Sequence, residues 1–317
     1  MKPRVPVFVG LLSLTILCGF ITPASASPIS FFQTVTNTDY AIFGYGGMRG
    51  LGTGNITVSG VSGTVTKAIL TWHGPTNSSD PAVNGAVTFA GNAVVGTNIG
   101  VSGDNNWGFQ NSQAYSADIT ALVSGNGAFS LANFTKPNAN INGVALEVYY
   151  NDGNSANNHD IVTFHGNDSN VGSLDPAGWQ ATLSGINYTA GSAALHFVVS
   201  DGQNFSGGDE STFLNAIALF PIGPVWNGNT TPFGPGGPSN GSLWDIRQFD
   251  VTGFLSPGPN TLSLTTGPVV SDALSLISLS FELPVGAAPP TIPEPASILL
   301  LGGGLVALAA KFRTRRG

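Results

Sequence analysis

The chain has one cysteine, Cys18, and it falls inside an N-terminal apolar run. The body that follows therefore has no disulfide, no thiolate metal site and no cysteine nucleophile. Charge is almost as scarce. Lys and Arg number 10 and Asp and Glu 17 in 317 residues, a formal net charge of −7. So few basic side chains argue against a nucleic-acid partner, which needs a positive face to displace phosphate counterions. Glu, Lys and Arg are also too few to coat helix surfaces, which argues against coiled coils and helical bundles. No stretch between residues 30 and 285 sustains a helical apolar period. No Walker loop and no His-Glu-x-x-His helix occurs. Gly237-Pro238-Ser239-Asn240-Gly241 matches Gly-x-Ser-x-Gly only as a string. A Pro/Gly-rich loop precedes it and no helical period follows, so it is no nucleophile elbow.

What is present is glycine (43), proline (21) and a 42% hydrophobic content, enough to bury a core. Together with abundant Asn, Ser and Thr this describes a β protein with a neutral polar surface, the style of a secreted adhesive or binding module. The charge falls into three segments. Residues 1–26 carry only Lys2 and Arg4, a net +2. Residues 293–317 set Lys311, Arg313, Arg315 and Arg316 against Glu294, a net +3. The body at 27–292 has four basic and sixteen acidic residues, a net −12.

Each basic end adjoins an apolar run. Lys2 and Arg4 precede the run Val7 to Ile21, and Ala24-Ser25-Ala26 places small residues at Ala24 and Ala26 before Ser27. This is the layout of a secretory signal over residues 1–26, cut by signal peptidase. At the other end, 285–292 reads as a proline-bearing linker. Pro293-Glu294-Pro295 follows, then an uncharged segment at 296–310, then Lys311, Arg313, Arg315 and Arg316. As a helix, 296–310 spans about 22 Å, short of the ~30 Å hydrocarbon core unless flanking residues extend its reach. The basic end stays cytoplasmic by the positive-inside rule.

This three-part ending resembles the PEP-CTERM sorting signal of Gram-negative bacteria, carried by Pro293, Glu294, Pro295, the glycine-bearing helix with Gly302-Gly303-Gly304, and the Arg-rich end. The resemblance implies recognition by an exosortase, transient anchoring in the inner membrane, and release or transfer to the cell surface. It also implies a setting of extracellular polysaccharide production.

The body reads as two copies of one β unit. Ala68-Ile69-Leu70-Thr71-Trp72 and Ala145-Leu146-Glu147-Val148-Tyr149-Tyr150 have the β-branched and aromatic content of strands. The block at Asp118-Ile119-Thr120 recurs at Asp250-Val251-Thr252, each followed by apolar residues and a Gly/Asn turn. Thr57–Gly60 parallels Thr182–Gly185, Ala68 parallels Ala193 and Trp107 parallels Trp244, at offsets of 125 to 137. Asp118 and Asp250 are expected to cap a one-turn helix, supported by Thr120 and Thr252, with Leu122/Val123 and Phe254/Leu255 plugging it into the core. The fold expected is all-β, two tandem antiparallel sandwiches at 27–155 and 156–284. The repeated block resembles that of galactose-binding-like jelly-roll domains, and the wider pattern resembles bacterial surface β-sandwiches.

Few residues offer chemistry. His159 and His165, on one expected strand, would lie about 20 Å apart, too far to share a metal. Asp209 and Glu210, as strand neighbours, point to opposite faces, which argues against an acid/base couple. Asp201, Asn204, Asp209 and Glu210 together have the hard oxygen donors of a calcium loop, and Asn151-Asp152-Gly153-Asn154 is a weaker version. Trp107, Trp179, Trp226 and Trp244 are the candidate platforms for a sugar ring, Trp107 and Trp244 foremost, each set against a place in the core. The reading favoured is a non-enzymatic surface protein, structural or adhesive, linked to exopolysaccharide. A calcium-dependent carbohydrate-binding module is the alternative, and an extracellular hydrolase the least supported.

Overall fold

A computed structural model describes residues 26–103, 108–204, 209–267 and 273–290. The strands are β1 (Ser27–Tyr45), β2 (Gly54–Val58), β3 (Thr64–Thr76), β4 (Ala86–Phe89), β5 (Asn92–Val95), β6 (Thr97–Ser102), β7 (Asn111–Asp118), β8 (Gly127–Ala132) and β9 (Gly143–Asn151) in the first half. The second half contributes β10 (His159–Ser169), β11 (Gln180–Tyr188), β12 (Ala194–Ser200), β13 (Thr212–Leu214), β14 (Ile217–Phe220), β15 (Trp244–Asp250), β16 (Gly258–Thr266) and β17 (Ser275–Pro284). Two 3₁₀ turns, Thr120–Leu122 and Thr252–Phe254, are the helical elements among the described residues. The protein is all-β, as its composition implies.

The two halves repeat one topology. Four-stranded sheets run β2-β8-β4-β5 and β11-β16-β13-β14, position for position the same. The remaining strands form the order β15-β12-β17-β10-β1-β9-β3-β7-β6. Ile56, Leu70, Trp72, Phe89, Leu131 and Leu146 fill the core between the sheets of the first half. Trp179, Leu183, Phe197, Trp226, Leu264 and Phe281 do so in the second. A third cluster, Ala114, Ala145, Val198, Trp244 and Ile277, lies where the outer face of β7 and β9 meets that of β12, β15 and β17. Each four-stranded sheet thus packs on part of the nine-stranded one, with an additional buried seam between the halves.

Strand β1 splices the halves. Its Ser27–Thr38 portion pairs with β10, and its Asp39–Tyr45 portion pairs with β9. The change of partner coincides with a register shift between Val35 and Thr38 and with Asn37 at φ 52. Asparagine is among the few residues that accept this left-handed conformation. The bend is pinned from β10, because Asn37 N donates to Asp160 Oδ1 at 3.0 Å.

The duplicated corners match at atomic detail. Thr120 N donates to Asp118 Oδ1 and Thr252 N to Asp250 Oδ1, both at 2.9 Å. Thr120 Oγ1 accepts Ala68 N at 3.0 Å, and Thr252 Oγ1 accepts Ala193 N at 2.9 Å. The expected cap is shifted by one residue: Ile119 and Val251 are the capping positions, and neither turn has a side-chain cap bond. Asp118 and Asp250 instead close Asx turns just before them. Ile119, Val123, Val251 and Leu255 are the buried plugs, with Leu122 and Phe254 packed partly against the same cores.

Residues 285–290 do not behave as the free linker the prolines suggested. Ala287 is buried in the second core, its N donates to Pro284 O, and its carbonyl accepts Asn187 N at 2.9 Å. The signal-peptide reading falls outside the described residues except at Ala26, and so does the expected helix at 296–310. Among the described residues no helix is long and apolar enough to cross a membrane.

Candidate functional site

Strands β9, β10, β12 and β17 are buried on both faces, so polar residues on the seam side must find partners within the protein. Glu147 of β9 is fully buried. Its Oε1 accepts Ser278 Oγ at 2.6 Å and faces His165 Nε2 at 3.3 Å, and its Oε2 accepts the Tyr149 hydroxyl at 3.1 Å. Burial works to raise this carboxyl's pKa, but the charge and hydrogen bond of His165, with those of Ser278 and Tyr149, hold it below the ordinary value. The Phe32 ring stacks on His165 with centroids 4.1 Å apart. From Tyr149 the network runs to Thr163 at 3.0 Å, to Ser280 at 3.1 Å and to the Tyr40 hydroxyl at 2.9 Å. Burial first, then Glu147, pushes both phenols well up, so they remain protonated donors.

A second cluster closes another part of the seam. His73 Nδ1 lies 2.6 Å from Ser200 Oγ, which also accepts Asn142 Nδ2 at 2.9 Å. Arg49 Nη2 donates to Asn142 Oδ1 at 2.6 Å and to Asp201 Oδ1 at 3.0 Å. Burial, and next the positive charge of Arg49, bring the His73 pKa down to about 3, with Asn167 opposing. The Ser200–His73 contact has nucleophile–base spacing. Both residues are buried, the adjoining cavity of about 10 Å³ has room for one water, and a base at about 3 is poorly matched to neutral pH. The pair joins β3 of the first half to β12 of the second and acts as a tie.

A third group lies beside a more open cleft. Glu282 meets His159 Nδ1 at 3.1 Å and His196 Nε2 at 2.5 Å. Burial works against its ionisation, but the hydrogen bond and charge of His196 and the charge of His159 hold its pKa down. Ser192, Gln248, Asp250 and Glu282 line an adjoining cleft of about 280 Å³. His159 and His165 share β10 yet serve different carboxylates, Glu282 and Glu147.

Two of the oxygen donors considered for calcium have protein partners of their own. Asp201 is engaged by Arg49, whereas Asp209 Oδ2 accepts Trp226 N at 2.6 Å. Burial, against the bonds from Trp226 and Val225, raises the Asp209 pKa to about 6. Asn204 is exposed and uses its N–H on Asn240 O, and Glu210 is half-buried. Asp152 spends its carboxylate on Asn154 N and Asn157 Nδ2 within its own turn. Among the described residues no group of three or more His, Cys, Asp or Glu is placed to hold a metal ion.

The tryptophan platform needs correction. Trp244 is fully buried in the seam, packed so closely on Gly143 that a Cβ there would meet its ring at 2.6 Å. It has no face open to a sugar. Trp107 lies outside the described residues, and Trp72, Trp179 and Trp226 are buried.

At the end of the described body, Asp160 Oδ2 accepts Gly286 N at 2.7 Å and Ala288 N at 3.3 Å. The chain then enters residues 291–316, which match the PEP-CTERM protein-sorting motif. Pro293, Glu294, Pro295, Lys311, Arg313, Arg315 and Arg316 all fall within that match. No curated protein matches the chain. Among solved structures, PNGase F, a glycosylasparaginase from Flavobacterium meningosepticum, is 12% identical over 82% of this chain and 100% of that one, with a TM-score of 0.23. A peptide-N(4)-(N-acetyl-β-D-glucosaminyl) asparagine amidase is 11% identical over 84% and 99%, with a TM-score of 0.24. Recombinant peptide:N-glycanase F is 12% identical over 85% and 98%, at 0.23. Likeness at these scores carries no argument for this chain. The sorting motif does: it indicates an extracellular protein, exported through the membrane to the cell surface and processed by an exosortase.

Proposed function

We propose that the body between residues 27 and 290 is a non-enzymatic structural or adhesive component of the cell surface, working alongside exopolysaccharide. Signal peptidase frees its N-terminus before Ser27, and the segment at 296–310 holds it in the inner membrane until the exosortase acts. The observation that carries the reading is where the acids and histidines of the seam direct their bonds. Glu147 is held by His165 and Ser278, and Asp201 by Arg49, each bond crossing from one half to the other. Groups that bond one half to the other hold a module together under load; they are poorly disposed to act on a substrate.

The test is co-sedimentation of the secreted protein with exopolysaccharide purified from the producing cells, paired with glycan analysis of the polymer afterwards. Retention with an unaltered polymer is the expected result. Absence of binding removes the polysaccharide link, and shortening or deacylation of the polymer removes the non-enzymatic reading.

A further inference from the structure

The root of the sorting tag is held by one buried carboxylate. Asp160 is 2% exposed, and its Oδ2 accepts the backbone N–H groups of Gly286 and Ala288, while its Oδ1 accepts that of Asn37. The chain between those two donors turns sharply, with Gly286 at φ +84, a conformation that a side chain would strain. Ala287 fills a place in the second core and accepts Asn187 N from β11, the edge strand of its sheet. Pro289 lies along that same edge, 3.7 Å from where a Cβ on Gly185 would be. The body thus holds its last turn by hydrogen bonds from two strands and by burial of a methyl group.

We infer that this Asp160 clasp shortens the tether between the body and the sorting motif and so restricts the exosortase's access to the motif. The inference rests on the exosortase processing that the motif indicates. Only four residues separate Ala288 from Pro293, so the motif begins within about 17 Å of the clasp even when the chain is fully extended. A protease must take an extended segment of its substrate into its cleft. With the clasp closed, only residues 289–292 separate the held turn from the motif, which keeps the folded body next to the segment that the enzyme must engage. Opening the turn releases residues 285–288 and lengthens the tether, so processing proceeds from the open form. Asp160 is in this sense a positioning residue, acting through Gly286 and Ala288.

The experiment is a pulse-chase of the full-length chain in exosortase-bearing cells, following conversion of precursor to mature protein of the correct mass. Asp160→Ala opens the clasp. A Gly-Ser-Gly-Ser-Gly-Ser insertion between Pro290 and Thr291 leaves the clasp closed but lengthens the tether, and it decides the matter if Asp160→Ala does not fold. Asp160→Asn keeps one acceptor oxygen and sets an NH2 against the backbone N–H groups served by the other, so it weakens the clasp in part. The expected result is severalfold faster conversion for Asp160→Ala and for the insertion, with Asp160→Asn between them and the parent. Conversion of the insertion variant at the parental rate or slower overturns the clasp. A parallel chain with Pro293, Glu294 and Pro295 all replaced by alanine separates the two ideas, since its normal conversion would overturn the exosortase reading itself.

Discussion

His165 Nε2 stands 3.3 Å from Glu147 Oε1, joining the first strand of the second half to the last strand of the first half inside a sealed interface. Their side chains are 3% and 0% exposed, so neither has water to fall back on. Removing one partner of a buried hydrogen-bonded pair leaves the other unsatisfied, at about 1–3 kcal/mol. Glu147→Ala and His165→Ala should each lower the unfolding free energy by at least roughly that amount in urea denaturation of the secreted body. The double variant should fall well short of the sum, since the two share one interaction. Strict additivity would mean that the pair does not act as a unit.

The duplicated corners allow a second measurement. Thr120 and Thr252 each accept a backbone N–H, from Ala68 and from Ala193. Valine has nearly the same shape without the oxygen, so Thr120→Val and Thr252→Val each leave a buried donor unsatisfied, at about 1–3 kcal/mol. The two sites lie in different cores, so their effects should be alike in size and should add. Unequal losses in chemical denaturation would show that the corners are equivalent in geometry but not in energy.

These two sets of residues differed in how visible they were beforehand. The corner is local: Asp118-Ile119-Thr120 and Asp250-Val251-Thr252 form their Asx turns within three residues, so repetition in sequence carried over into repetition in structure. The seam is not local. Its signal is that Ala194–Ser200 in β12 and Gly143–Tyr149 in β9 are buried without a break, whereas β11 alternates buried and exposed positions. Unbroken burial marks a strand covered on both faces, and a lone Glu147 in such a strand marks a bonded polar partner. Which strand supplies that partner depends on β1 changing sheets at Asn37, a long-range pairing that composition and periodicity do not encode. The same distance effect hid the clasp, since Asp160 and Gly286 are 126 positions apart.

Acid should loosen the seam through His73. Its pKa falls from 6.5 to about 3 on folding, chiefly by burial and next by the Arg49 charge. Below pH 6.5 the unfolded chain binds a proton there that the folded chain refuses, so stability drops as the pH falls from 6.5 toward 3. Glu147 contributes in the same direction, but only near and below its ordinary value of 4.5, because its own folded pKa is lowered. Melting temperatures of His73→Asn and the parent should therefore converge as the pH drops from 6.5 to 5, with the variant showing the flatter profile. Parallel profiles would mean that His73 titrates normally in the fold.

Alkali should act through a different residue, Asp168. This carboxyl is 1% exposed on β10, and its pKa rises from 3.8 to about 8, mainly by burial and then by the hydrogen bond and charge of Asp175, against the bonds from Ile29 and Gln180. Folding keeps a proton on Asp168 that the unfolded chain has already released above pH 3.8. The stability this protonation supplies is whole below pH 3.8, declines through the interval above it, and is gone once the pH passes about 8. Asp168→Asn retains an acceptor for Ile29 N and cannot ionise beside Asp175. It should match the parent at low pH and melt at a progressively higher temperature than the parent as the pH rises toward 8. If the asparagine variant is instead the less stable protein at pH 8, the Asp168 carboxylate is ionised and useful in the fold, and its burial is compensated by donors that the Ile29 and Gln180 bonds alone do not supply.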